Sequence, residues 1–358
     1  MRLIVAGGGT GGHLFPGVAV AREFQRRDSM ARILFVGSES GIERGVVPRE
    51  GFPLKTLPIQ GIKGRGWLGL MQAFYGIPAS LYRSFRIVGC FRPQCIIGLG
   101  GYASGPLLIA GKLKGIRCAI MEQNVIPGLT NRVLAWLVDR IFTTYEATAS
   151  YFPRSRVVET GNPVRWEHLP PIKNGAKFTL LIFGGSAGAH KINLCFLEAL
   201  DRLADLASAM RIIHQTGQAD FMSIQNAYAS RRFETEVAPF IERMDEAYAR
   251  ADLVVCRAGA TTVAELTAYG KPAILIPYPY AAHDHQRVNA RAVEERGAAV
   301  VILDQELSGE NLAASIRSLY ADRARLTDMA RAARELGRPE AAKRIVDECY
   351  ALFEGRTP

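Results

Sequence analysis

The residues most able to do chemistry lie in two glycine-rich turns and at one histidine beside the first of them. Gly7-Gly8-Gly9-Thr10-Gly11-Gly12-His13 follows a short apolar run, and Gly184-Gly185-Ser186-Ala187-Gly188 follows another. Glycines let backbone N–H groups approach a phosphate closely, and the helix terminus that comes next favours negative charge. The first turn meets the dinucleotide pattern Gly-x-Gly-x-x-Gly at Gly7, Gly9 and Gly12. That pattern also needs an acid at the end of the second strand, for which Glu39 stands late. The second turn meets the Gly-x-Ser-x-Gly pattern of a hydrolase elbow, with Asp252 and His283 or His285 downstream as triad partners. Its near-copy in the first half has no serine, so paired phosphate cradles explain both turns at once, with Ser186 a hydroxyl donor and not a nucleophile. His13 has the side chain to take a proton from an attacking hydroxyl near neutral pH, or to stabilise the transferring centre. The chain has no Walker A motif and no Asp-x-Asp pair to hold a divalent ion on a diphosphate. Helix termini, N–H groups and Arg165 are therefore the expected counter-charges for a leaving diphosphate, with no metal and no cofactor required.

Such loops need a scaffold that presents them at strand ends. Candidate strands are Leu3–Ala6, Ile33–Val36, Cys95–Ile97, Ala119–Met121 and Ile141–Thr143 in the first half. The second half offers Thr179–Phe183, Arg211–His214, Phe233–Val237, Leu253–Cys256, Ala273–Ile276 and Ala299–Ile302. Most are continuous apolar runs, the pattern of parallel strands covered on both faces. Helical patterns such as Gly17–Arg27, Asn193–Leu206 and Thr262–Tyr269 separate them, and Pro16 fits a first helical turn. This alternation predicts an α/β chain of open, doubly wound sheets. Strand, glycine turn and helix open each half in the same way, and the polar, proline-bearing stretch Pro163 to Lys177 reads as a linker. The expectation is two Rossmann-like domains facing across a cleft, 1–162 and 163–339, with a terminal helix in 340–358 packing back on the first. Ligands in such sheets sit beyond the carboxyl ends of the strands.

Composition bounds the function classes. A chain of 358 residues, 48% hydrophobic and 22% charged, suits two domains of about 150–200 residues each. Six cysteines without a Cys-x-x-Cys pair read as reduced thiols, not a disulfide framework or a zinc site. The start of the chain runs directly into the first glycine turn and reads as a strand, not a signal peptide. The longest uncharged run, Pro93 to Gly111, carries five glycines and two prolines, which disfavour a spanning helix. The net charge of +10 is local: Gly51 to Met121 holds no acid but Lys55, Lys63, Arg65, Arg83, Arg86, Arg92, Lys112, Lys114 and Arg117. Within it, Gly61 to Phe91 is dense in apolar residues such as Trp67, Phe74, Tyr82 and Phe85. An apolar patch ringed by cations predicts docking on an anionic membrane surface. No RRM, KH or helix-turn-helix signature supports nucleic-acid binding.

Further motifs are Gly98-Leu99-Gly100-Gly101-Tyr102-Ala103-Ser104-Gly105-Pro106, Glu122-Gln123-Asn124, Gly161-Asn162-Pro163-Val164-Arg165, Arg257-Ala258-Gly259-Ala260-Thr261-Thr262-Val263-Ala264-Glu265 and His283-Asp284-His285-Gln286-Arg287. With the two glycine turns they resemble the MurG family over nearly the whole chain. The resemblance implies a GT-B fold and a peripheral enzyme on the cytoplasmic face of the membrane. It also implies UDP-N-acetylglucosamine as donor, and transfer with inversion to lipid I, undecaprenyl-pyrophosphoryl-MurNAc-pentapeptide. Contacts with other cell-wall synthesis proteins would follow. Carried over residue by residue, it sets Thr10, Gly11, Gly12 and Asn124 near the sugar and diphosphate. Arg165, Ser186, Ile241, Ala260, Thr261, Thr262, Val263, Ala264, Glu265 and Gln286 fall on the nucleotide and sugar. Glu265 has the chemistry to accept a ribose diol, and Ile241 would pair with uracil through its backbone. Gly100, Gly101 and Tyr102 are expected to offer N–H groups to the acceptor's pyrophosphate. Ala187 stands where members often carry Gln or Leu. The rival readings are transfer to a different lipid, or an NAD-dependent dehydrogenase.

Overall fold

The computed structural model describes residues 1–59, 66–166, 168–170, 175, 177–185, 188–281 and 284–353, with backbone alone for 66–75 and 77. The chain divides into two compact units, Met1–Arg165 with Arg338–Pro358, and Trp166–Gly337.

The first unit is built on strands β1 (Arg2–Ala6), β2 (Arg32–Ser38), β3 (Leu54–Leu57), β4 (Cys95–Gly98), β5 (Arg117–Glu122), β6 (Arg140–Thr143) and β7 (Val157–Glu159). They form one sheet in the order β3-β2-β1-β4-β5-β6-β7, with every neighbouring pair parallel. Helices α1 (Gly11–Arg27), α2 (Glu43–Arg49), α3 (Gly66–Phe91), α4 (Ser104–Leu113) and α5 (Leu129–Leu134) connect them. Alternate residues of β1 point to opposite faces. Leu3 and Val5 join a core with Leu14, Val18 and Phe24 of α1. Ile4 and Ala6 join another with Ile87, Val88 and Leu107 of α3 and α4. Both faces are dry, which is why the strands read as unbroken apolar runs.

The second unit repeats the plan with β8 (Phe178–Phe183), β9 (Met210–Gln215), β10 (Glu234–Ala238), β11 (Leu253–Cys256), β12 (Ala273–Leu275) and β13 (Ala299–Val301), ordered β10-β9-β8-β11-β12-β13. Its helices are α6 (His190–Arg202), α7 (Phe221–Ala229), α8 (Met244–Arg250), α9 (Ala260–Ala268), α10 (His285–Glu294), α11 (Gly309–Ala321) and α12 (Arg323–Leu336). Ile192, Phe196, Ala199 and Leu200 place the buried stripe of α6 on β8 and β9. The last helix, α13 (Ala341–Phe353), returns to the first unit, where Ile345, Val346 and Cys349 share a core with Phe24 of α1.

In both sheets the winding reverses beside the first strand, between β1 and β4 and between β8 and β11. Loops leaving such a pair diverge and open a crevice at the carboxyl ends of the strands. Both glycine turns lie there.

Helix α1 starts earlier than the sequence pattern predicts. Thr10 is extended (φ −138°) and occupies the N-cap, so the helix begins at Gly11 and not Gly17. Pro16 therefore lies in the second turn, and His13 is brought into the first.

Candidate functional site

The turn after β1 packs backbone against backbone on the loop after β4. A Cβ at Gly7 (φ +123°) would lie 2.3 Å from the Gly100 carbonyl oxygen. Ser104 Oγ, 2.8 Å from the carbonyl oxygens of both Ala6 and Gly100, ties the two loops together. The carboxylate of Glu43, 1% exposed, accepts from Gly9 N–H (2.9 Å), Ser38 N–H (2.7 Å) and Ser38 Oγ (2.9 Å). At Gly9 the amide thus has an anionic partner inside the protein, so this one N–H of the turn is directed at Glu43 and not at a phosphate. Glu39, the late candidate for a ribose acid, instead pairs with Arg83 at the surface (3.1 Å).

His13 stands in the first turn of α1, half-buried, with Nδ1 2.8 Å from Gln123 Oε1. Gln123 is 1% exposed, and its Nε2 donates to Leu99 O (3.3 Å). Beside it the buried Glu122 organises the next loop. Its Oε1 accepts from Asn124 N–H (3.0 Å) and Nδ2 (3.2 Å), and its Oε2 from Gly128 N–H (3.1 Å) and Asn131 Nδ2 (2.9 Å). Asn124 thus directs side-chain N–H toward Glu122. Thr10 is exposed and Gly11 and Gly12 are half-buried at the head of α1. Gly100 is buried, Gly101 is half-buried and Tyr102 stands 44% exposed at the tip of its loop. The Arg165 guanidinium carbon lies 4.5 Å from the ring centroid of Phe15, a cation–π contact with α1.

In the second unit the turn after β8 and the start of α9 are the counterparts. Ser186 and Ala187 lie outside the described residues, as does His283. Gln215, 2% exposed, bridges the turn to the loop after β10: its Nε2 donates to Gly185 O (2.9 Å) and its Oε1 accepts from Ile241 N–H (2.8 Å). The Ile241 N–H, expected to meet uracil, is held here by Gln215. Gly259 caps α9, with Ala260, Thr261 and Thr262 in the first turn, where amides have no preceding helical carbonyl. Thr262 and Ala264 are half-buried, whereas Val263 is 2% exposed and its N–H donates to Gly259 O (2.9 Å). Glu265 is 2% exposed, and Tyr248 O–H donates to its Oε2 (3.1 Å). Gln286 is half-buried and accepts from Tyr278 N–H (3.0 Å). Arg257 is structural: its Nη1 donates to Pro277 O (3.1 Å) and Asp304 Oδ1 (2.6 Å). Burial alone would raise the Asp304 pKa, but the bonds from Arg257 and Lys191 hold it below the ordinary value.

Sequence reasoning missed Gln123, Glu43 and Gln215. Gln123 was visible only as the middle of a polar triplet ending β5, and Glu43 as a lone acid close behind Gly37 and Gly41.

Two doubly wound parallel sheets that share the strand order of their first six strands, each with a glycine turn after its central strand, make the GT-B architecture. The profile of the glycosyltransferase family 28 N-terminal domain matches residues 3–143, and that of its C-terminal domain matches residues 179–345. The chain belongs to glycosyltransferase family 28 and, within it, to the MurG family. It is 48% identical over 357 residues to the UDP-N-acetylglucosamine–N-acetylmuramyl-(pentapeptide) pyrophosphoryl-undecaprenol N-acetylglucosamine transferase of Myxococcus xanthus, covering 99% of this chain and 93% of the relative. The transferase of the same name from Syntrophus aciditrophicus is 49% identical, with 99% of each chain covered. Among solved structures, MurG of Acinetobacter baumannii superposes with a TM-score of 0.79 at 31% identity, covering 98% of this chain and 99% of that one. The S. aureus MnaA–UDP complex, at 14% identity and TM-score 0.70 over 100% of this chain and 98% of that one, shares the fold alone.

Proposed function

We propose that the protein transfers N-acetylglucosamine from UDP-N-acetylglucosamine to the muramyl 4-hydroxyl of lipid I, giving lipid II for peptidoglycan synthesis. The observation that carries this reading is the 48–49% identity, over 99% of the chain, to transferases named for that reaction. The site chemistry supports it: a hydroxyl nucleophile needs a base, and a nucleoside diphosphate needs N–H donors and positive helix termini.

The donor is assigned to the second unit. The N-terminus of α9, with Ala260, Thr261 and Thr262, and the turn carrying Ser186 take the diphosphate; Glu265 takes the ribose diol; Gln286 reads sugar hydroxyls. Arg165 adds counter-charge, and Thr10, Gly11, Gly12 and Asn124 are assigned to the transferred sugar. The acceptor belongs to the first unit, with the Gly100-Gly101-Tyr102 loop on its pyrophosphate. His13 is the base. Its Nε2 takes the hydroxyl proton as the acceptor oxygen bonds to the anomeric carbon. The bond from that carbon to UDP breaks on the opposite side, UDP leaves with the electron pair, and configuration inverts without a covalent intermediate. Incubation with radiolabelled UDP-N-acetylglucosamine and a short-chain lipid I analogue tests the reading. Label in a disaccharide lipid is expected, and failure to label this acceptor while another lipid is labelled would refute it.

We place the enzyme at an anionic membrane surface, on the cytoplasmic face. Among the described residues no helix is long and apolar enough to cross a membrane. Tyr82, Leu113 and Trp136 in the first unit stand 65%, 70% and 74% exposed. A cavity of about 710 Å³ between α2, β3 and α3 is lined by Arg44, Lys55, Arg83 and Arg86 over Phe52 and Ile87. Co-sedimentation with vesicles is expected to rise with anionic lipid and fall with salt. Arg86→Gln should weaken it about fivefold, as follows from roughly 1 kcal/mol per basic residue at such a surface. Binding indifferent to lipid charge would remove the docking role.

A further inference from the structure

We infer that Gln123 is a positioning residue for the transfer: it locks His13 in the neutral tautomer with its proton on Nδ1, leaving the lone pair on Nε2. The inference rests on His13 being the base proposed above.

The orientation of the Gln123 amide follows from its two partners. A carbonyl oxygen only accepts, so the end of the amide that meets Leu99 O is the NH2, at 3.3 Å. The other end, Oε1, therefore faces His13 Nδ1 at 2.8 Å. An amide oxygen also only accepts, so the hydrogen in this bond is on Nδ1. A neutral imidazole has one N–H, and Nε2 must carry the lone pair.

The lock is anchored at both ends. Leu99 is fully buried, and its N–H donates to Ala6 O (2.7 Å), so the carbonyl that holds Gln123 is fixed to the end of β1. Gln123 directly follows β5 and is 1% exposed, which leaves water little access to compete for either end of its amide. A Cβ built at Gly100 would be 3.7 Å from both Nδ1 and Cε1 of His13, so the ring lies beside bare backbone on that side. The carboxylates of the neighbouring loops are committed elsewhere: Glu43 to Gly9 and Ser38, Glu122 to Asn124, Gly128 and Asn131. The group that meets Nδ1 is thus neutral. It selects the tautomer without adding a negative charge that would hold the proton on the ring after transfer.

The full-length protein labelled with 15N-histidine gives a direct reading, with the His13 signals assigned by their loss in His13→Ala. Nδ1 protonated and Nε2 unprotonated is the expected result; the reverse tautomer overturns the inference even if His13 is essential. Kinetics give an independent one. Gln123→Leu should lower kcat by about tenfold or more while the KM for UDP-N-acetylglucosamine stays within about twofold, because general-base assistance and not donor binding is lost. Gln123→Glu keeps an acceptor for Nδ1–H but adds charge, so it should recover kcat at high pH while the acid limb of kcat/KM moves up by about 1–3 pH units. A Gln123→Leu enzyme with wild-type kcat, or a Gln123→Glu profile that superposes on wild type, overturns the positioning role. His13→Ala should cost about a hundredfold or more in kcat. Wild-type turnover in that variant would bring down the base and Gln123's role in transfer together, and so differs from a wrong tautomer, which brings down Gln123's role alone.

Discussion

At the scale of single residues, the chain uses two histidines in opposite ways. His13 is half-buried at a strand-end crevice, where the proposed base needs its lone pair. His214 is fully buried in the second unit, with Nδ1 2.9 Å from Tyr228 Oη and Nε2 3.0 Å from Asn193 Oδ1. Burial, opposed in part by Asp220, pulls its pKa down to about 3. The unfolded chain binds a proton at that ring near pH 6.5, about the ordinary value, and the folded protein does not. Stability from this group is therefore complete above pH ~6.5 and is lost as pH falls from there toward about 3. Between pH 7 and 5 the loss is about 2 kcal/mol, read as reduced hydrogen-exchange protection of the β9 amides. His214→Gln should flatten that dependence, and an unchanged slope would exclude His214 as its source. Both histidines were plain in the sequence, and His13 was read there as a proton acceptor, but the groups that hold each ring were not, because those partners are remote. Gln123 is 110 positions from His13, Glu43 is 34 from Gly9, and Gln215 is 26 from Ile241. A residue type states what chemistry is available; only the fold states which groups meet.

At the scale of elements, legibility follows burial. The central strands were readable because both faces are covered, whereas β3, Leu-Lys-Thr-Leu, and β7, Val-Val-Glu, edge strands of the first sheet, were missed; the second sheet's edges, β10 and β13, were read because apolar residues flank or fill them. An edge strand keeps polar residues and loses the apolar run. The glycine turns were readable as turns, but not what each amide bonds. The turn after β8 shows how tightly such a loop is built. Gly188 has φ +81°, and a Cβ there would lie 2.1 Å from the Thr216 carbonyl oxygen, which is backbone and cannot move aside. Gly188→Ala combines a disfavoured conformation with a clash, and should destabilise the second unit by about 2–3 kcal/mol or more. Gly297 also has positive φ (+75°), but nothing lies within 4 Å of its Cβ position. Gly297→Ala should cost only about 1–2 kcal/mol, the conformational part alone. Equal losses in the two variants, measured by urea unfolding, would mean that the Thr216 contact does not constrain the turn.

At the scale of the whole molecule, the order of the chain is not the order of its units. The first unit is completed only after the second has been made, because Arg338 onward returns to it. Helix α13 supplies Ile345, Val346 and Cys349, all fully buried, to the core built on α1 and β1. Tyr350 stacks near Phe24 (5.7 Å between centroids), Arg27 pairs with Asp347, and Arg140 reaches Glu348 (3.4 Å). Burying three such side chains contributes about 5 kcal/mol, even before the apolar surface of α1 that deletion would uncover is counted. A domain of this kind has a net stability of about 5–15 kcal/mol, so loss of α13 removes a large share of it or all of it. A chain ending at Gly337 should therefore keep protected amides in β8, β9 and β11 while those of β1 and β4 exchange near the rate of unfolded chain. The Arg27–Asp347 pair, whose aspartate is 64% exposed, cannot account for such an outcome, since exposed pairs contribute about 0–1 kcal/mol each. Asp347→Ala should accordingly leave exchange in β1 nearly unchanged, whereas Ile345→Ala with Val346→Ala should reproduce most of the truncation. If the truncated chain protects β1 as well as the full chain does, the first sheet is stable without its last helix and the burial argument for α13 is wrong.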